Sequence, residues 1–205
     1  MVLLFTGFEP FGGHRVNPTH LLVQHFDKMV YDGLEIIGKV IPLRFHEIRP
    51  LIRNLIDDIQ PDYIVMSGQA PRNAITPERI AINYAETSTP YNCGTTIEGQ
   101  FLDSEGEDGF FSTLPLKRIV QGLREKGIPC SISLSAGTYG CNQIFYECMR
   151  YLRIKHLDIP AGFIHVPLLP EQALNGRYAS MSFELMIKAF ETIFRIIDKS
   201  HEKSL

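Results

Sequence analysis

The sequence predicts an α/β domain around a mostly parallel sheet. Two observations predict it: short apolar runs alternate with longer amphipathic ones, and several short runs are apolar on successive residues. Val2-Leu3-Leu4-Phe5 and Tyr63-Ile64-Val65-Met66 show no in-and-out alternation, as expected of strands covered on both faces. Five strands are expected, over residues 2–6, 35–41, 63–67, 130–135 and 162–167.

Helices fill most of the gaps. Asn17-Pro18 reads as an N-cap followed by a first-turn proline, opening a helix to about residue 29. A second is expected over 47–59, with Pro50 in its first turn, where a missing N–H is tolerated. A third, 116–126, stops at Gly127, which suits the left-handed position after a helix. In the fourth, 142–155, Ile144, Phe145, Cys148 and Leu152 share one face, and Met186, Phe190, Ile193 and Ile197 do so in the last, 183–199. Residues 69–110 break the pattern with many Gly, Pro, Asn and Thr and no long helix. A segment of that length is functional or holds a small hairpin, for which 80–84 and 95–97 could supply strands.

At 205 residues the chain suits a single domain, 1–205, with a sizeable core. A composition 44% hydrophobic and 21% charged excludes disorder. A net charge of −3 argues against a nucleic-acid or anionic-membrane surface, and no apolar run approaches the roughly 20 residues of a membrane span. The first residues carry neither a charged n-region nor a cleavage site. The four cysteines form no CxxC pair, so reduced thiols in the cytoplasm are expected. His46-Glu47 fails as a zinc-binding HExxH because residue 50 is proline, and no metal site is expected.

In an open parallel sheet, ligands bind beyond the C-terminal ends of the strands. That rule gathers residues 6–13, 68–70 and 136–142 with His165 along one rim. Cys141 follows a glycine-containing turn at the start of a predicted helix. There the helix N-terminus would lower its thiol pKa, and its amide would lie near an oxyanion. The alternative is a small buried hydrophobe, the reading that suits Cys93, Cys130 and Cys148. His165 sits in an apolar strand, as a core residue or as the base for Cys141, and the shared rim favours the base. A Cys–His pair needs a third group to orient the imidazole, and Glu78, Glu86, Glu98 and Asp103 are all available; spacing selects none of them. The glycine-rich loop after the first strand matches neither nucleotide-binding pattern. Its Phe8 and Phe11 either wall a pocket for a small ring or plug the end of the core.

Four segments carry a resemblance: Thr6-Gly-Phe-Glu-Pro-Phe-Gly-Gly13 with Asn17-Pro18; Ile75-Thr-Pro-Glu78-Arg-Ile-Ala-Ile-Asn83; Ser135-Ala-Gly-Thr-Tyr-Gly-Cys141-Asn142; and Gly162-Phe-Ile-His165-Val-Pro with Leu169-Pro-Glu-Gln172. In order and spacing they resemble the pyroglutamyl-peptidase I (pyrrolidone carboxyl peptidase) family. The resemblance implies a three-layer α/β/α fold and a Cys141–His165–Glu78 triad, so it selects Glu78 where spacing could not. It also implies a pocket for the pyroglutamyl ring formed by Phe8, Phe11, Gln69 and Tyr139. The expected substrates are peptides blocked by an N-terminal pyroglutamate. The expected enzyme is cytoplasmic and cofactor-free, a homotetramer or dimer. Four departures stand out. The usual Gly-Gly-Arg after Gln-Ala is Pro71-Arg72, one residue short; an arginine expected near the oxyanion is Ser88; the usual Phe-Val before the cysteine is Tyr139-Gly140; and a usual threonine is Leu43. They motivate two alternatives, a pyroglutamyl-binding homologue with weakened turnover and a thiol amidohydrolase of altered acyl specificity.

Overall fold

The computed structural model describes residues 1–201, with side chains through residue 198. The first half of the chain runs β1 (Val2–Phe8), α1 (Pro18–Phe26), β2 (Val30–Tyr31), β3 (Leu34–Ile41), α2 (Phe45–Ile59), β4 (Tyr63–Gln69) and β5 (Thr76–Pro77). An excursion follows, made of β6 (Ile80–Ile82), β7 (Ala85–Thr87), β8 (Ile97–Gln100) and β9 (Gly109–Phe111). The chain then forms α3 (Leu116–Glu125), α4 (Gly140–Lys155), β10 (Ala161–Val166) and α5 (Phe183–His201).

The main sheet has the order β2-β3-β1-β4-β10-β5; β3, β1, β4 and β10 are parallel, and the short β2 and β5 close its edges antiparallel. Successive residues of a strand face opposite ways, so a strand covered on both sides must be apolar throughout. Leu3 and Phe5 enter a core with Phe26 of α1, Ile119 of α3 and Phe190 of α5. Leu4 and Met66 point the other way, onto Ile52 of α2 and Phe145 of α4. The architecture is therefore three-layered, α1, α3 and α5 on one face and α2 and α4 on the other. All seven residues of β4 are buried.

Asn17 caps α1 as its sequence predicts, accepting the Thr19 N–H at 2.9 Å. The helix ends at Phe26 rather than near 29, because Lys28 and Met29 exchange backbone hydrogen bonds with Ile36 of β3. Helix α2 begins at Phe45, two residues early, which puts Pro50 beyond the first turn and leaves the His46 carbonyl without its helical donor. Gly127 takes the left-handed conformation expected after α3, with φ of 71°.

The expected strand over 130–135 is not formed. Cys130 and Ser133 make only isolated parallel bridges, to Ile75 and Glu78. These residues lie beyond the edge strand β5, where Ser131, Leu134 and Ser135 are exposed, so among the described residues no second neighbour completes a ladder. The excursion holds two small antiparallel pairs, β6 with β9 and β7 with β8. It is fastened to α4 by Arg150, which pairs with Asp103 at 3.1 Å and Glu107 at 3.0 Å. Among the described residues no helix is long and apolar enough to cross a membrane.

Candidate active site

Gly68, near the C-terminal end of β4, is the residue around which the site is built. It is the register partner of His165 on β10, and partners on adjacent parallel strands present their side chains to the same face. On that face the missing side chain of Gly68 is replaced by Cys141. A Cβ at Gly68 would lie 2.7 Å from Cys141 Sγ and 2.8 Å from Cζ of Phe163. The Phe163 ring in turn lies 4.8 Å from the His165 imidazole. The absent Cβ thus lets the first turn of α4 lower its thiol onto the sheet beside the histidine. Gly68→Ala is expected to displace the thiol, and with it to reduce kcat/KM about 100-fold while the protein still folds. Steady-state kinetics with a melting curve check this.

Glu78 emerges just after β5 and is held against β10 by its own N–H, which donates to the Phe163 carbonyl at 2.8 Å. Its carboxylate is fully buried, and Oε1 accepts a hydrogen bond from Nδ1 of His165 at 2.7 Å. Because a carboxylate can only accept, Nδ1 carries the proton and Nε2 is left free to take one. The other acidic candidates do not reach the imidazole. Glu86 and Glu98 are exposed on β7 and β8, and Asp103 pairs with Arg150.

Arg72 belongs to the site too, and sequence reasoning marks it only as part of a shortened loop. Its Nη1 pairs with the same Oε1 of Glu78 at 2.7 Å and donates to Thr76 Oγ1 at 2.7 Å; Nη2 donates to the Ser135 carbonyl at 3.0 Å. Six positions separate Arg72 from Glu78 across an irregular loop. No helical or strand periodicity signals that pairing.

Helix α4 opens at Gly140, and its ladder begins with the Gln143 N–H donating to Tyr139 O at 3.0 Å. The amides of Gly140, Cys141 and Asn142 therefore lie outside the ladder, at the positive end of the helix. Asn142 fixes that end in place by exchanging hydrogen bonds with the Ile82 backbone, each 2.9 Å. The local rule predicts a lowered thiol pKa, but the structure reverses it. Burial, reinforced by the negative charge of Glu78 and opposed by Arg72, pushes the Cys141 thiol up to about 12. A helix terminus contributes at most about 2 kcal/mol, less than the desolvation of a buried thiolate. Burial also holds His165 below the ordinary imidazole value, outweighing the pull of Glu78 in the other direction. Both shifts run toward the uncharged forms, thiol and neutral imidazole.

Past the end of β4, where Gln69 follows Gly68, lies a cavity of about 300 Å³, with Phe11, Gln69, Pro71, Thr87, Tyr139 and Leu168 in its wall. Among the described residues its lining contains no carboxylate. The Tyr139 ring packs edge-on against Phe11 at 5.9 Å and lies 4.6 Å from Tyr91, while its hydroxyl donates to Pro90 O at 2.8 Å. Phe8 is 1% exposed and stands behind the wall, edge-on to Phe11 at 6.4 Å. The loop carrying Phe11 is held by Asn17, which donates to Glu9 O at 3.0 Å, and by Glu9, whose Oε1 accepts from Leu43 N–H at 2.9 Å and Asn92 Nδ2 at 2.8 Å.

Two of the departures seen in the sequence compensate each other. A Cβ on Gly140 would collide with Cδ1 of Leu43, so the larger residue at 43 fills the space given up at 140. Ser88 does not line this cavity; it lies on an adjoining open depression with Glu86 and Glu98, which shares Thr87 with the cavity.

The chain matches the family described as pyroglutamyl peptidase over residues 1–199. It is 44% identical to a pyrrolidone-carboxylate peptidase of Lactobacillus acidophilus over 92% of this chain and 94% of the relative. It is 43% identical to one of Vibrio parahaemolyticus over 95% of this chain and 92% of that one. Its backbone superposes on a mutant pyrrolidone carboxyl peptidase from the hyperthermophile Pyrococcus furiosus with a TM-score of 0.94 at 34% identity, covering 98% of this chain and 99% of the other. For pyroglutamyl peptidase I of Bacillus amyloliquefaciens the TM-score is 0.92 at 36% identity, covering 96% and 94%.

Proposed function

This chain belongs to the pyroglutamyl peptidase family of cysteine peptidases, and from that premise we propose that it removes N-terminal pyroglutamate from peptides through a thioester on Cys141. The observation that carries the mechanism is the buried Glu78–His165 hydrogen bond on the sheet face where Gly68 admits the thiol. Burial raises the thiol, so in this reading it is protonated at rest and attack and proton transfer go together. Sγ bonds to the carbonyl carbon as its proton passes to His165 Nε2. The oxyanion forms near the free amides of residues 140–142. Collapse breaks the C–N bond, and His165 returns the proton to the departing amine. Water, losing a proton to His165, then cleaves the thioester and frees pyroglutamate with the thiol restored.

A lactam has no ammonium group. The carboxylate-free cavity suits it, whereas an ordinary aminopeptidase needs an acid to hold the substrate's charged N-terminus. Phe11 and Tyr139 wall the ring, with Gln69 as a polar partner and Phe8 supporting from behind. The same reading carries a cytoplasmic, cofactor-free enzyme that assembles as a dimer or tetramer, which light scattering tests directly.

The function is tested by arylamine release from pyroglutamyl arylamide across the acid and neutral range. Protonating His165 removes the base, so kcat/KM falls as pH falls. Because its pKa is depressed, the midpoint lies below 6.5. With the thiol pushed up to about 12, no thiolate-driven rise appears near pH 8. An inactive folded enzyme contradicts the function. A rise in rate through pH 8–9 contradicts the neutral-pair mechanism.

A further inference from the structure

We infer that Gln172 is a positioning residue that turns the Gln69 amide so that its NH2 faces the ring pocket, selecting acyl groups that carry a ring carbonyl. This rests on the peptidase reading above and deepens it. Gln172 ends the short 3₁₀ turn Pro170–Gln172 that follows β10. Its Oε1 accepts from the backbone N–H of Leu169 at 2.9 Å, a group that can only donate. Its Nε2 donates to the backbone carbonyl of Val16 at 3.0 Å, a group that can only accept. The two backbone groups leave the Gln172 amide one orientation.

The second N–H of Nε2 points at Gln69, at 3.1 Å, so the atom of Gln69 that faces it must be an acceptor, Oε1. Nε2 of Gln69 is thereby turned away from Gln172. Among the described residues it donates to no protein acceptor, and it is not sealed in the interior. The Gln69 side chain is 6% exposed and forms part of the cavity wall beside Phe11 and Tyr139. An unpaired donor in a largely apolar wall favours a ligand with a carbonyl at that point. A ring lacking one leaves the NH2 desolvated without a partner, at full cost. Through Val16 the same amide ties the pocket floor to the start of α1, so the end of β10 and the aromatic loop are held in register.

The test compares kcat/KM for two arylamides that differ only in the carbonyl, 3-oxocyclopentanecarbonyl and cyclopentanecarbonyl. Pyroglutamyl arylamide is the reference. Wild type is expected to prefer the oxo ring roughly 10- to 100-fold. In Gln172→Glu the carboxylate still accepts from Leu169 but offers Gln69 an acceptor, so the Gln69 amide turns round and the ratio falls to one or below. Gln172→Met, which offers neither donor nor acceptor, gives an intermediate ratio, and it decides the matter if the first variant melts before assay. Equal losses on both substrates, or an unchanged ratio in folded variants, overturn the inference and leave the peptidase intact. A wild type that cleaves no pyroglutamyl arylamide is a different result: it overturns the peptidase reading, and this inference with it.

Discussion

Cys141→Ala, folded like the wild type, is expected to release arylamine from pyroglutamyl arylamide about 10⁵-fold more slowly. The thiol is 6% exposed and packs against the glycine face of β4, so removing one sulfur atom leaves the cores on both faces of the sheet in place. The other cysteines cannot substitute. Cys148 lies two turns further along α4 and is fully buried, Cys130 bridges Ile75 and packs in the core on the other face of the sheet, and Cys93 is exposed on a loop. What remains in the variant is binding of the ring and the free amides of α4, with no atom to form the acyl bond. Equal melting temperatures and a lost rate are the expected pair of results. A residual rate within tenfold of wild type would place the nucleophile elsewhere.

Glu78→Gln is expected to lower kcat/KM on the order of 10³-fold. The loss comes from charge rather than from tautomer. Arg72 and His165 both donate to Oε1, so an amide at 78 is driven to place its oxygen there and Nδ1 keeps its proton. Its NH2 then takes the position of Oε2, which is buried without a hydrogen-bond partner among the described residues. The imidazolium that forms during attack now faces the Arg72 guanidinium with no anion between them. Removing that cation relieves the repulsion, so the double variant Glu78→Gln, Arg72→Met is expected to be faster than Glu78→Gln alone. A double variant slower than the single one would show that Arg72 acts by some route other than its charge. Comparing kcat/KM of the two variants decides it.

How much of this is legible in the sequence depends on how local each determinant is. The runs of β1 and β4, the Asn17-Pro18 cap and Gly127 after α3 are set by neighbouring residues, and they fold as read. The 130–135 segment misleads because ladder formation depends on a distant partner. Among the described residues its only backbone bridges run to Ile75 and Glu78, beside β5. Pro50 reads as one turn too early in α2 because Arg44, the N-cap, carries no side-chain cap signal. The rim rule does bring Cys141 and His165 together. Choosing Glu78 among four acids needs the resemblance, since its approach to His165 depends on how residue 78 lies against Phe163. Two features escape local reading for the same reason. The helix terminus says nothing of how deeply the Cys141 thiol is buried, and the loop length says nothing of the carboxylate that Arg72 meets. Gln172 stands within a recognised motif, but its part becomes visible only from the direction of its hydrogen bonds.

The most direct test of the central claim is to mix the enzyme with pyroglutamyl arylamide in excess, quench with acid within the first turnover, and measure the mass of the proteolysed fragments. Pyroglutamyl thioester chemistry predicts one added pyroglutamyl acyl group on the fragment containing Cys141, formed with a burst of arylamine and absent from Cys141→Ala. An acyl group on any other residue, or a burst with no added mass, would contradict it.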